Sequence, residues 1–512
     1  MKVLYITAEC KPFSKVGGVG DVAGELPPAL KDQGVDIEIV TPCYGETLQK
    51  DPTLSALTPA HEYSLAFQGV NEQISILRTE TRGVPVNLLK NPAYFETDYS
   101  LKPDKAPFIH PLLFKNDYST PYVYSRKIPY YDDALRFSFF CRACIPFIQE
   151  KAPDIVHIND WVMGYLPGWL KIYDISRKMV LTIHNMGYQG NIHHEAIRDW
   201  DIRHIARNQD TGPLFLDPRT AWNSINPLRL AMELAHRTNT VSPTYKKEIT
   251  MPEDQSSFFQ GGRGLHEVAA RLDSQGRLHG ILNGFEYPFS PDDAGFETMI
   301  REKSRMKSTL AGDFPDPDAL LLGFVGRAVE QKFRLLREEI QGKSVLEHIL
   351  DMPGVNVAVL ATGDHEYETF LQSLSDRPNL CAILAFDAKK AEQISLGSDV
   401  FLMPSLFEPC GITQMQSLCH ATPPMVRWTG GLADTVRPHT DPAGTGFGFD
   451  GSSCTEILKN QLEAVNQARQ MYTQNPQKFQ TLQYRGYYER FLWETSAREY
   501  IEKIYQPVMS GN

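Results

Sequence analysis

No stretch of the sequence stays apolar for the length that crossing a bilayer demands, and Met1-Lys2 leads directly into the short apolar segment Val3–Ala8. A membrane anchor is not expected. Nor is a secretory leader, which would place a basic segment and a longer apolar one first; the expected setting is the cytoplasm. Basic charge is also short. Against 62 Asp and Glu stand 51 Lys and Arg, a net charge of −11, so nucleic acid, which needs a basic surface, is not an expected partner. The eight cysteines (Cys10, Cys43, Cys141, Cys144, Cys381, Cys410, Cys419 and Cys454) are scattered. Their one C-x-x-C, Cys141 to Cys144, lies in the apolar run RFSFFCRACIPF with no second pair and no histidines nearby. It reads as buried thiols rather than a zinc or redox site. No Asp-x-Asp closes a strand; Asp316-Pro317-Asp318 lies in a proline-rich loop and reads as a turn, so no metal is expected. Repeats and low-complexity segments are missing too. What is there is an ordinary globular composition, 512 residues at 42% apolar, enough for two or three domains with cores of their own.

The chain opens as a βαβ unit. Val3–Ala8 suits a buried parallel strand, a helix follows from about Val22 to Gly34, and Val35–Pro42 is the next strand. Between the first strand and the helix sits the glycine-rich loop Lys15-Val16-Gly17-Gly18-Val19-Gly20-Asp21, at the sheet edge where such folds bind ligands. Its spacing is not the dinucleotide fingerprint, and no acidic residue ends the second strand at the right place. Gly17 and Gly18 allow close approach to a ligand, and Lys15 is a cation able to neutralise a phosphate. Strands at Asp154–Ile158 and Val180–His184 end in His157, Asn159, Asp160 and Trp161, and in His184 and Asn185. Polar residues clustered at strand ends of a βα repeat are binding and catalytic candidates.

The second half repeats the arrangement. Its sheet starts at Leu320–Val325, and Arg327 and Lys332 bracket the turn that follows; two cations there offset a diphosphate and its charge as a leaving group. Further on, the strand Val400–Met403 breaks at Pro404, Glu408-Pro409-Cys410-Gly411 follows, and Ile412–Cys419 begins a helix. A short strand, Pro424–Arg427, leads to Thr429-Gly430-Gly431. Strand, glycine turn and helix start form an anion site from free N–H groups. A carboxylate would repel the anion, so Glu408 is assigned to sugar hydroxyls. Diphosphate on the amides with sugar on the carboxylate points to a nucleotide-sugar pocket, although spacing alone fits an ordinary βα connection equally well.

FEPCGITQMQSL and RWTGGLADTV resemble the donor-site signature of bacterial glycogen synthases and plant starch synthases. SKVGGVGDVAGELPPAL, HINDW, LTIHNMGYQG, VSPTY, GILNGFEY and GFVGRAVEQK extend the likeness in order along nearly the whole chain. The resemblance implies two Rossmann-like, doubly wound α/β domains facing across a deep cleft (the GT-B glycosyltransferase fold). It implies boundaries near 1–248 and 249–487, and a terminal helix, 488–512, returning to the first domain. It implies a retaining hexosyltransferase with ADP-glucose as donor substrate, an α-1,4-glucan as acceptor and no separate cofactor. Carried onto this sequence, the catalytic residues are His184, Arg327, Lys332 and Glu408. The substrate-binding residues are Lys15, Gly17, Gly18, Tyr130, Asp160, Asn185, Cys410, Gly411, Ile412 and Thr413. The sequence departs from the family pattern where Asn159 and Val162 replace the histidines of HxHDWHAG, Phe333 a glycine, Leu406 an arginine and Phe386 a tyrosine. These departures keep two other readings open: a weakly active or non-catalytic glucan-binding or initiation homologue, and a glucosyltransferase using UDP-glucose.

Overall fold

In the computed structural model, residues 1–96, 131–193, 197, 201–219, 224–312 and 314–511 are described. Short apolar segments of the first half pair into a nine-stranded sheet. Its spatial order is Leu278–Gly280, Arg237–Thr240, Lys178–Ile183, Ile155–Asn159, Lys2–Ile6, Asp36–Pro42, Val84–Lys90, Val70–Thr81 and His61–Phe67. The first seven run parallel; at one edge Val70–Thr81 pairs antiparallel to Val84–Lys90, and His61–Phe67 antiparallel to it in turn. The second half builds a fully parallel sheet in the order Leu380–Ile383, Val355–Gly363, Leu320–Ala328, Val400–Met403, Pro424–Arg427 and Phe447–Phe449. Both are doubly wound. In the first, strand Lys2–Ile6 has its sequence neighbour Asp36–Pro42 on one side and Ile155–Asn159 on the other; in the second, Leu320–Ala328 has Val355–Gly363 on one side and Val400–Met403 on the other. The chain therefore diverges from each central strand in opposite directions, which opens a crevice at the strands' carboxyl ends.

The expected boundary at 248–249 gives way to one after Gly280. Residues 266–274 form a helix whose Val268, Ala269 and Leu272 enter the first core, and the next strand pairs with Arg237–Thr240. Edge pairing and that apolar face hold this stretch to the first sheet. Cys141 and Cys144 are buried in the same core, on the helix Tyr131–Lys151. Among the described residues no helix is long and apolar enough to cross a membrane.

The expected terminal helix, 488–512, begins later than its first residue. One helix, Pro476–Tyr488, stops, and another starts at Trp493. The residues between them use their backbone elsewhere. The Phe491 N–H donates to the Tyr287 hydroxyl (2.9 Å), and the Phe285 N–H donates to the Phe491 carbonyl (2.8 Å). The segment leaving the first domain and the segment returning to it are thus tied side by side. Trp493–Glu499 then continues through the wider π-helical turn Tyr500–Tyr505 to Gln506–Ser510. Trp493, Ala497, Tyr500, Ile504, Tyr505 and Val508 share one core with Val3, Tyr5, Val22 and Leu26 of the first domain.

Polar groups inside this contact form a directed chain. The Tyr505 hydroxyl bonds His157 Nδ1 (2.7 Å), and His157 Nε2 bonds Thr182 Oγ1 (2.7 Å). Thr182 donates to Asn239 Oδ1 (2.8 Å), and Asn239 Nδ2 donates to the Tyr500 hydroxyl (2.9 Å). Because Thr182 spends its proton on Asn239, His157 must donate through Nε2 and accept through Nδ1. Burial holds His157 neutral, its pKa pushed down to about 3. Tyr505→Phe strands Nδ1, and the expected outcome is a loss of about 1–3 kcal/mol in denaturant unfolding, with turnover in the folded protein unchanged.

Candidate active site

Each turn that follows a switch-point strand carries part of one cavity. After strand Lys2–Ile6 comes buried Glu9, whose Oε2 accepts from the N–H groups of Val16 (2.7 Å) and Gly17 (3.0 Å). This carboxylate fixes the glycine-rich loop. Lys15, half exposed on that loop, pairs with Asp21 at 2.7 Å. After Ile155–Asn159 comes Asp160, with a left-handed φ of 59° that non-glycine residues seldom adopt. Its Oδ1 accepts from the His184 N–H (2.7 Å), which joins the ends of two adjacent strands. Burial pushes the Asp160 carboxyl up to about 7. Backbone strain beside a displaced pKa is a signature of functional sites. His184 Nε2 lies 3.0 Å from Asn159 Oδ1, and burial lowers its pKa to about 3.

On the second sheet, Gln331 Nε2 donates to the Phe407 carbonyl (3.0 Å), and the Leu406 N–H donates to the Gln331 carbonyl (2.8 Å). These bonds seat the first turn of helix Glu330–Arg337 on the loop after strand Val400–Met403. They bring Lys332 Nζ onto Glu408 Oε2, which also accepts from Ser405 Oγ (3.2 Å). Lys332 and Glu408, which the sequence assigns to separate duties, form an ion pair here. The glycine pair after strand Pro424–Arg427 has a packing reason: a Cβ on Gly430 would collide with the Glu408 carbonyl, and one on Gly431 with that of Cys410. The Gly431 N–H bonds the Glu408 carbonyl (3.0 Å), so this turn holds the Glu408 backbone. Burial pushes the Cys410 thiol up to about 12, which keeps it a neutral lining group rather than a nucleophile.

These turns face one another across a cavity of about 480 Å³. From the first domain it is lined by Lys15, Gly17, Gly18, Asp160, His184 and Asn185. From the second it is lined by Arg327, Lys332, Glu408, Cys410, Gly411, Ile412 and Thr413. Every expected site residue is brought together there except Tyr130, which lies outside the described residues. Glu9, Tyr188, Asn283 and Gln331 also line it and were missed. Glu9 and Gln331 carried a usable signal, since each is a polar residue just past a strand that ends at the switch point. The departures are placed as well. Val162 lines the cavity. Phe333 is fully buried against Phe324, Tyr367 and Phe370, so it replaces glycine with core packing. Leu406 is buried, and Phe386 is 94% exposed.

The turn Thr429-Gly430-Gly431 spends donors inside the protein. The Gly430 N–H (2.8 Å) and the Thr429 hydroxyl (3.0 Å) both donate to Glu248 Oε1 from the first domain. Thr244 reaches Asp434 (2.8 and 2.7 Å), Ser242 reaches the Pro409 carbonyl (2.6 Å), and Arg427 reaches the carbonyls of Ser257 (2.7 Å) and Phe258 (3.0 Å). These bonds latch the domains beside the cavity. Burial pushes the Glu248 carboxyl up to about 7. The folded state therefore keeps a proton that the unfolded chain loses above its ordinary carboxylate pKa. The protonated form adds stability at low pH, and this is lost as pH rises through about 7, at a slope of up to about 1.4 kcal/mol per pH unit. Glu248→Gln keeps an acceptor without the titration. Its melting temperature should fall less than the parent's between pH 5 and 7.5, and the two curves should run parallel above that.

Residues 2–271 match the family described as the starch synthase catalytic domain. The glycogen synthase of Kosmotoga olearia is 31% identical, over 100% of this chain and 98% of the relative. That of Lactococcus lactis is 33% identical, over 99% of this chain and 100% of the relative. Among solved structures, the catalytic domain of starch synthase IV from Arabidopsis thaliana, bound to ADP and acarbose, superposes with a TM-score of 0.75 at 25% identity, covering 99% of each chain. Sucrose-phosphate synthase from Thermosynechococcus elongatus, at 14% identity and a TM-score of 0.54 over 100% of each chain, shares the fold.

Proposed function

We propose, because the chain belongs to the glycogen and starch synthase family and is a hexosyltransferase of that family, that it moves glucose from ADP-glucose to the non-reducing end of an α-1,4-glucan with retention of configuration. The observation that carries this reading is a cavity lined from both switch points, by the cations Lys15, Arg327 and Lys332 and by the polar side chains of Glu408, Asn185 and His184. Lys15, Arg327 and Lys332 suit a departing diphosphate, and the amides of Gly411–Thr413 add to them. Glu408, Asn185 and His184 suit the hydroxyls of the glucose. In the transfer, the bond from glucose C1 to the diphosphate oxygen breaks and a bond from C1 to a glucan hydroxyl oxygen forms on the same face. The hydroxyl proton leaves with the diphosphate. Rate then comes from positioning and from fixed charge around an oxocarbenium-like sugar.

The reading takes ADP-glucose as a substrate and calls for no separate cofactor, since three basic side chains stand where the diphosphate charge must be met. It places donor and glucan in the cytoplasm, and the retained charged set speaks against a non-catalytic homologue. The ADP in the Arabidopsis relative favours an adenine nucleotide. The test compares kcat/KM for ADP-glucose and UDP-glucose on glycogen. A clear preference for ADP-glucose is expected, and a preference for UDP-glucose overturns the donor assignment.

A further inference from the structure

Asn159 is hydrogen-bonded to His184, a lining residue of the cavity, and its surroundings give it a defined task. Its Nδ2 donates to the Ile6 carbonyl (3.1 Å), so the amide can point only one way; reversing it would press one carbonyl oxygen against another. Its Oδ1 then faces two neighbours, the Tyr5 hydroxyl at 2.9 Å and His184 Nε2 at 3.0 Å. A carbonyl oxygen has no proton to give, so both neighbours must donate to it. The hydrogen on His184 therefore sits on Nε2. The other ring nitrogen, Nδ1, has no protein partner among the described residues, and His184 lines the cavity together with Asp160 and Glu408. The charged and titratable groups nearby do not compete for it. Asp160 is engaged by the His184 backbone N–H, and His157 is satisfied at both nitrogens. Burial keeps the His184 ring uncharged.

We propose that Asn159 is a positioning residue, which locks His184 as its neutral Nε2–H tautomer and so presents bare Nδ1 as an acceptor for a hydroxyl of the bound sugar. A ring held this way accepts a hydrogen bond and cannot serve as a proton donor at Nδ1. The identity of that hydroxyl rests on the glucosyl-transfer reading; the tautomer does not.

Histidine-selective 15N labelling with long-range 1H–15N correlation reads the tautomer directly, the His184 signals being assigned by their loss in His184→Gln. The expected spectrum of the full-length protein has a protonated Nε2 and a bare Nδ1. Asn159→Leu should abolish that fixed pattern and lower kcat/KM roughly 10- to 100-fold, as for loss of a partner that orients a functional imidazole. Tyr5→Phe removes the other donor to Asn159 Oδ1 and should leave both the tautomer and turnover close to wild type. A proton on Nδ1 in the unmodified protein overturns the proposal whether or not it transfers glucose. An unchanged tautomer in Asn159→Leu overturns the part given to Asn159. The expected tautomer in a protein that does not use ADP-glucose would instead count against the transferase reading alone.

Discussion

Lys332→Ala and Glu408→Ala are each expected to lower kcat/KM by roughly two to four orders of magnitude, the cost of removing a preorganised transition-state contact. Glu408 is 7% exposed and Lys332 is its ion-pair partner, so each single change also strands a charge in a poorly solvated place. Part of any lost activity could then be lost folding. The double variant separates the two effects. With both charges gone no group is stranded, and stability should recover toward wild type, since replacing a buried pair costs far less than breaking it. Turnover should not recover, because the donor then meets neither the cation nor the carboxylate. Glu408→Gln should be damaging as well: the amide turns a donor toward Lys332 or toward sugar hydroxyls where only an acceptor serves. Measuring melting temperature and kcat/KM across the four proteins decides the matter. Near-normal turnover in any folded variant removes that residue from the site.

Trp493→Ala is expected to cost about 3–5 kcal/mol of stability, the range for deleting a buried aromatic side chain. Trp493 is 6% exposed, and its indole Nε1–H donates to Glu25 Oε2 at 2.6 Å on the helix Gly18–Asp32. It packs against Gly284 in the outgoing crossover so closely that a Cβ there would meet the Trp493 backbone at 2.6 Å. The one side chain thus joins the returning segment, the outgoing segment and the helix behind the glycine-rich loop. Trp493→Phe keeps most of the packing and loses the hydrogen bond, so a smaller loss of about 1–2 kcal/mol is expected. Denaturant unfolding followed by fluorescence checks both. A change below about 1 kcal/mol for Trp493→Ala would mean that the crossover is not anchored there.

The sheets were legible because buried parallel strands are short apolar runs, and the site was legible because polar residues gather where those runs end. Asp160, Asn185, Arg327 and Glu408 each sit within about five residues of such an end, and Lys15 lies on the loop that follows one. Pairing between distant turns was not legible. Nothing in the spacing of Lys332 and Glu408 says that they touch, since that depends on Gln331 and Leu406 sewing two loops together. The same holds for Glu248, which looks like an ordinary residue of a short charged helix until the second domain brings Gly430 against it. The boundary was missed because the strand Leu278–Gly280 is only three residues long, too short to show a period. Asn159 looked like the loss of a histidine; its role depends on the direction of the Ile6 carbonyl, which no sequence states.

Incubation of the protein with ADP-glucose and glycogen, with ADP released and glucose incorporated both quantified, tests the central claim most directly. Equal amounts of the two are expected, with both lost in the folded Lys332→Ala/Glu408→Ala double variant. ADP release no greater than that of the double variant, or release without incorporation into glycogen, would contradict it.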